Sequence, residues 1–223
     1  MPIEFDQNNY PYHFTLLRHA QSVGNFEMYH QGQVDFPLTE LGERQAQTLA
    51  QYWLNEGKQF DLAITSTLAR ACHTAEIITQ KLNIPLRSDP IWMERDNGAL
   101  GGMKAEDAEI HYPQPEFMHL YKPVGEFGES QWELYIRAGK AVQTLINHPP
   151  GRYLVISHGA LLNMVLYAIL GIPPQANFHG ARFRFRNTAF ASLLYRPNTH
   201  TWALIGLNER PHWKDLSDSS ENE

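Results

Sequence analysis

The residues able to do chemistry follow short apolar runs. Arg18 and His19 close the run Phe14–Leu17, with Ser22 and Asn25 a few positions on. Ser66 follows the run Asp61–Thr65, and Arg70 stands one helical turn later. Glu94 and Arg95 close the segment Ile91-Trp92-Met93, and His158-Gly159 follows the run Tyr153–Ser157. If the runs are neighbouring parallel strands, two histidines, two arginines and a glutamate meet in one crevice, since ligands in open α/β sheets bind beyond the carboxyl ends of strands.

Such a set suits a phosphoryl group. Its oxygens carry negative charge, so positioning and electrostatic stabilisation do most of the catalytic work. Arginine offers a planar pair of donors matched to phosphate, and a helix N-terminus adds backbone N–H groups. A neutral imidazole can attack phosphorus, while a carboxylic acid can protonate the departing oxygen. No glycine-rich loop with its Lys-Ser/Thr occurs, which argues against nucleotide hydrolysis of that type.

The elements that must hold these groups alternate. The three apolar runs have the length and composition of buried strands. A helix is expected over Thr39–Gly57, carrying Leu41, Leu49, Tyr52 and Trp53, with Gly57 as its stop. A second is expected over Thr67–Leu82, with Ala71, Ala75, Ile78 and Leu82 on one face. Ser130 and Glu133 form a capping-box pattern for a third, whose core face is Leu134, Ala138, Ala141 and Leu145. A fourth follows His158 and ends near Gly171–Pro174. The runs Thr188–Tyr195 and Thr201–Leu207 read as strands around a turn at Pro197-Asn198. Ser22 and Ser66 read as helix caps. Arg182, Arg184 and Arg186 alternate as on one face of a solvated edge strand. Trp53, Trp92, Trp132 and Trp202 are expected in the core, and the histidines other than His19 and His158 in ordinary surface or packing roles. The alternation predicts a three-layer α/β/α sandwich with a mainly parallel sheet.

The chain has 223 residues and a formal net charge of −6. That length fits one domain, expected over residues 1–214, followed by an acidic, disordered tail over residues 215–223. The charge argues against a nucleic-acid binder. Cys72 is the single cysteine, which excludes an intramolecular disulfide and a cysteine-rich zinc site. The first ten residues do not read as a secretory signal, and the longest apolar stretch, near Leu161–Leu170, is too short to span a bilayer. A cytoplasmic protein without a membrane partner is expected; a homodimer is left open.

Six blocks, in order, resemble the histidine phosphatase superfamily in its phosphoglycerate mutase-like branch: Leu17–Asn25, Gln31–Ala46, Ser66–Ile77, Met93–Met103, Gly128–Ser130 and Val155–Ala160. The resemblance runs from about Phe14 to Leu207. It implies that His19 is the nucleophile that becomes phosphorylated, with Arg18, Arg70 and His158 clamping the phosphoryl oxygens. Asn25 matches a further phosphate contact, Gln31 beside Gly32 matches a position next to the substrate, and Gly159 follows the second histidine of the motif. Glu94 matches the general acid that later activates water. The resemblance implies no metal and no cofactor, because two arginines and two histidines supply positive charge. Ala20 departs from the usual Arg-His-Gly, and its methyl is expected to restrict the approach to His19 slightly.

These residues favour a phosphatase for a small phosphorylated substrate. A phosphoglycerate mutase is the first alternative, because Met93–Asp107 looks closer to the mutase form. Against it, Asn97 replaces the mutase tyrosine, Lys104 falls one position early, and the stretch from Glu94 to Gly128 is short and has no adjacent arginine pair. A mutase needs a long closing lid to exclude water. A catalytically silent phospho-ligand binder is the second alternative, which the presence of His19 and Glu94 disfavours. The segment His111–Phe127 resembles the variable insertion that covers the site, with Phe117, Met118, Tyr121 and Lys122 as candidate specificity residues.

Overall fold

The computed structural model describes residues 11–215. The first ten residues, and 216–223 of the tail, lie outside them. Asp215, taken as the start of that tail, ends a short 3-10 helix, Pro211–Asp215.

Six strands form the central sheet: β1 (Tyr12–Arg18), β3 (Leu62–Thr65), β4 (Leu86–Ser88), β6 (Gly151–Ser157), β7 (Phe190–Arg196) and β8 (Thr201–Glu209). Their order is β4-β3-β6-β1-β7-β8. The pairings from β4 through β1 are parallel, and β7 and β8 add an antiparallel hairpin. Two-residue strands β2 (Tyr29–His30) and β5 (Met103–Lys104) make a separate pair.

Alternation along the strands assigns side chains to two cores. Phe14 and Leu16 of β1, with Tyr153 and Val155 of β6, pack under α5 (Gln131–Ile146) and α6 (Gly159–Leu170). Leu17, Leu154 and Ile156 face the other way, onto α2 (Glu40–Asn55) and α3 (Ala69–Leu82). The result is the expected three-layer arrangement. The helical face Leu134, Ala138, Ala141 and Leu145 is buried, as are Trp53 and Trp92; Trp132 and Trp202 are half-buried.

Local signals set the helix ends. Thr39 caps α2 through Gly42 N–H, and Gly57 takes the left-handed conformation just beyond it at φ +62°. Ser130 and Glu133 close their capping box on α5. Gly171 ends α6 at φ +67°. The remaining helices are α1 (Val23–Phe26) and α4 (Ala105–His111). Among the described residues no helix is long and apolar enough to cross a membrane.

One strand expectation fails. Residues 181–186 run outside the sheet and make no ladder. Phe185 is buried and Phe183 half-buried, while Arg182 and Arg184 are exposed. The alternation is real, but it separates the more buried phenylalanines from the exposed arginines along a segment that pairs with no strand.

Candidate active site

The parallel register brings the site together. β6 lies between β1 and β3, so the residues that follow these strands become neighbours. His19 N–H donates to the Ser157 carbonyl at 3.0 Å, and Ser66 N–H to the Ile156 carbonyl at 3.0 Å. These bonds carry the ladder one step past the strand ends and hold His19, Ser66 and His158 side by side. The rings of His19 and His158 are 5.1 Å apart.

His19 is 3% exposed, and its Nδ1 lies 2.7 Å from the Ala20 carbonyl oxygen. A carbonyl can only accept, so Nδ1 carries the proton and Nε2 keeps the lone pair. Burial, then the charges of Arg70 and Arg18, hold the imidazole pKa well below its ordinary value of 6.5. The ring is therefore neutral at pH 7 with Nε2 free to attack. The Ala20 methyl does not crowd the approach as expected from sequence: Ala20 is fully buried and packs with Leu38 and Ala46.

His158 is also fully buried and held neutral, by burial and then by Arg70. Burial thus disfavours positive charge on both rings, against the expectation that they add it, and Arg18 and Arg70 are the cations beside them. His158 Nε2 lies 2.7 Å from Ser66 Oγ, while its Nδ1 is buried without a protein partner. Leu68 rather than Ser66 is the N-cap of α3, while Ser66 Oγ accepts from Leu68 N–H at 3.2 Å and also meets His158.

Arg70 is 1% exposed, and burial pushes its pKa down to about 10, so it remains charged at neutral pH. Its Nη1 and Nη2 donate to the carbonyls of Val34 and Gly32 at 2.9 and 2.7 Å, and its buried Nε has no protein acceptor. Arg18 Nη1 donates to the Phe185 carbonyl at 2.8 Å.

The remaining residues picked out by sequence divide by what they touch. Ser22 caps α1 in a reciprocal box with Asn25. Asn25 Oδ1 also accepts from Asn187 Nδ2, which donates to the His19 carbonyl as well, at 2.9 Å. Gln31, 9% exposed, accepts from Ser22 Oγ at 2.7 Å. It lies against Gly24, where a Cβ would stand 2.5 Å from its side chain. Gly32 reaches the centre only through its carbonyl on Arg70. Gly159 opens α6 beside Arg18, with its Cβ position 3.8 Å from Arg18 Nε.

Glu94 sits at the N-terminus of α6. Its Oε1 accepts from Arg95 and Leu161 N–H at 2.9 and 3.1 Å, and its Oε2 from Ala160 N–H at 3.1 Å. The helix N-terminus that sequence reading offered to phosphate is thus taken by this carboxylate. Arg95 turns elsewhere, with Nε on Asn97 Oδ1 at 3.1 Å and its guanidinium over the Phe178 ring.

Sequence alone does not single out Arg137, nor its pairing with Glu129 of the Gly128–Ser130 block. Arg137 donates to the carbonyls of Ile91, Met93 and Glu94 at 3.0, 2.6 and 3.1 Å, and pairs with both oxygens of Glu129 at 2.8 and 2.6 Å. It fixes the backbone on which Glu94 stands. The Gly128–Ser130 block had marked Glu129's neighbourhood, but nothing local named its partner.

Next to Glu94 opens a cavity of about 760 Å³ bounded by Arg95, Gly159, Ala160 and Phe185, among others. Of the insertion His111–Phe127, Gln114 reaches this cavity, whereas Phe117, Met118, Tyr121 and Lys122 do not line it. Phe117 and Tyr121 are exposed, and Met118 exchanges backbone and side-chain hydrogen bonds with Asn177. The insertion is tied to the domain at Met118.

Residues 14–209 match the histidine phosphatase superfamily, branch 1. The chain belongs to the histidine phosphatase superfamily. A Yersinia enterocolitica protein named "Probable phosphoglycerate mutase GpmB" is 34% identical over 204 residues, covering 88% of this chain and 93% of the relative. The Bacillus subtilis "Uncharacterized phosphatase PhoE" is 32% identical over 160 residues, covering 72% and 78%. Among solved structures, Bacillus stearothermophilus YhfR superposes with a TM-score of 0.75 at 23% identity, covering 90% of this chain and 98% of that one. The Entamoeba histolytica phosphoserine phosphatase in complex with 3-phosphoglyceric acid gives 0.73 at 21%, covering 90% and 98%. These likenesses agree with the mainly parallel sandwich. The superfamily match agrees with phosphatase- or mutase-like chemistry.

Proposed function

We propose that this protein is a phosphomonoester phosphatase working through a phosphohistidine on His19. The observation that carries the reading is the buried, neutral His19, whose Nδ1–H is committed to Ala20, leaving the Nε2 lone pair beside two guanidiniums.

In the first step, Nε2 attacks phosphorus and the bond from phosphorus to the alcohol oxygen breaks. Arg18 and Arg70 offset the charge on the equatorial oxygens. His158 Nδ1 is the third donor when Ser66 gives its hydroxyl proton to Nε2, a tautomer in which both His158 ring nitrogens have partners once phosphate binds. Glu94 supplies a proton to the leaving oxygen. Oε1 already accepts two amides, so Oε2 is the oxygen freer to hold that proton. In the second step the Glu94 carboxylate takes a proton from water, which attacks phosphorus, breaks the P–N bond and releases inorganic phosphate.

The name of the Yersinia relative favours a second reading, transfer of the phosphoryl group back to phosphoglycerate. Support for hydrolysis comes from Lys104, which lies over the Tyr29 ring, and from Asn97, which holds Arg95 in place of the mutase tyrosine. The test is phosphate release from a panel of phosphomonoesters in chelator, with isomerisation of 3-phosphoglycerate followed in parallel. Release that requires His19 supports the phosphatase; isomerisation with little release supports the mutase.

A further inference from the structure

The cavity beside Glu94 is far larger than a three-carbon acid requires. Its volume of about 760 Å³ falls within the range of pockets that enclose drug-sized ligands. Two of its wall residues also touch the reacting centre. Ala160 N–H donates to Glu94 Oε2, and the Phe185 carbonyl accepts from Arg18. A phosphoryl group clamped at His19, with its leaving oxygen at Glu94, therefore directs its organic part into this space.

Tyr167, Phe178, Phe183 and Phe185 give the cavity an aromatic lining. Tyr167 and Phe183 meet edge to face with centroids 5.9 Å apart, and the Tyr167 hydroxyl is anchored on the Ala181 carbonyl. Phe178 and its neighbour Asn177 both hold left-handed backbone, at φ +53° and +56°. That conformation is costly for residues other than glycine and tends to persist where function requires it.

The polar groups in the wall are biased toward donation. Asn163 Oδ1 accepts from Phe183 N–H at 2.7 Å and Asn177 Oδ1 from Met118 N–H at 2.5 Å, so each amide has its Nδ2 left to offer. Gln131 is 7% exposed, lines the cavity and makes no side-chain hydrogen bond. Its amide atoms are not among the fully buried unpartnered ones, so they open on the cavity and can pair with a ligand there. The Arg95 guanidinium adds cationic donors next to the Phe178 ring. A small acid would leave the aromatic wall wet, whereas a planar, acceptor-rich ring system satisfies both ring and donor surfaces.

We propose that the cavity binds the leaving group of the substrate, and that this group is a nucleoside-like alcohol: a sugar carrying a planar heteroaromatic ring rich in acceptors. The proposal rests on the phosphatase reading above. A small phosphorylated acid or an unadorned sugar phosphate then reacts poorly, because most of the cavity stays empty.

The test compares kcat/KM for adenosine 5′-monophosphate, ribose 5-phosphate, 3-phosphoglycerate and p-nitrophenyl phosphate, in the native protein and in His19→Ala, Phe183→Ala and Gln131→Leu. Adenosine 5′-monophosphate should exceed ribose 5-phosphate by about tenfold or more, the scale of stacking one base on an aromatic wall. Phe183→Ala and the near-isosteric Gln131→Leu should each lower that ratio several-fold, with thermal melting confirming the fold. Hydrolysis of p-nitrophenyl phosphate that needs His19, without preference for the nucleotide or with ratios unmoved in both variants, overturns the pocket assignment alone. Absence of His19-dependent release from every ester overturns the phosphatase reading with it.

Discussion

Arg137 donates to the carbonyl oxygen of Glu94 at 3.1 Å, across 43 residues of chain. The same guanidinium holds the carbonyls of Ile91 and Met93, and Glu129 takes its remaining fork. Glu94 owes its place at the α6 N-terminus to two supports: the amides that bind its carboxylate and the arginine that binds its backbone.

Arg137→Met should therefore act through Glu94. Stability should fall by about 3 kcal/mol, the scale of breaking a largely buried ion pair. With the protein still folded, kcat for alkyl phosphates should drop by about tenfold while that for p-nitrophenyl phosphate changes little, because a good leaving group needs no proton. Arg137→Lys should not restore the alkyl rate, since an ammonium cannot reproduce the planar fork. Equal loss on both substrate classes would reduce Arg137 to a structural residue.

Glu94→Gln keeps the shape but cannot deliver a proton. Esters of basic alcohols should lose roughly 10²-fold or more in kcat, against a few-fold for p-nitrophenyl phosphate. A plot of log kcat against leaving-group pKa should steepen in the variant; parallel lines would move Glu94 to a positioning role.

Gly42→Ala probes how the loop after His19 is held. A Cβ at position 42 would lie 2.0 Å from the Gln21 carbonyl oxygen, so the α2 N-terminus must retreat from that loop. Thr39 N–H and Gln45 Oε1 both bond Gln21 there, at 3.0 and 2.9 Å. A loss of about 1–3 kcal/mol is expected in chemical denaturation. An unchanged midpoint would mean that the contact relaxes freely.

Three buried histidines give acid sensitivity of defined sign. His212, fully buried against Thr188, is pushed down to about 4 by burial and then by Arg210; His19 and His158 are also lowered. In the unfolded chain each titrates near 6.5. Below that value the unfolded state binds more protons, so stability is full above pH ~6.5 and falls as pH drops toward ~4. His212→Gln should remove on the order of 3 kcal/mol of this acid dependence, read from urea midpoints. A slope the same as native would contradict it.

The strand ends and helix faces were legible because their signals are local. The Ser130–Glu133 box and the face Leu134–Leu145 need only a few residues of sequence to read, and the superfamily blocks kept His19, His158 and Glu94 in order. What sequence could not supply were pairings across the chain. Ser66 meets His158 over 92 residues, Asn187 meets His19 over 168, and Arg137 meets carbonyls more than 40 positions away. Seen alone, Ser66 had the profile of a cap, and Arg182–Arg186 the period of a strand. Only the register of β1, β6 and β3, and the path of residues 181–186 along the cavity, assign them otherwise.

The central claim is that His19 Nε2 forms the covalent intermediate. The direct test is rapid acid-free quench of native protein and His19→Ala during turnover of a phosphomonoester in chelator, with the phosphorylated residue located by mass spectrometry. An acid-labile, base-stable phosphoryl group on His19, absent from the variant along with phosphate release, is the predicted result. Turnover retained in His19→Ala, or a phosphoryl group found on another residue, would contradict the account.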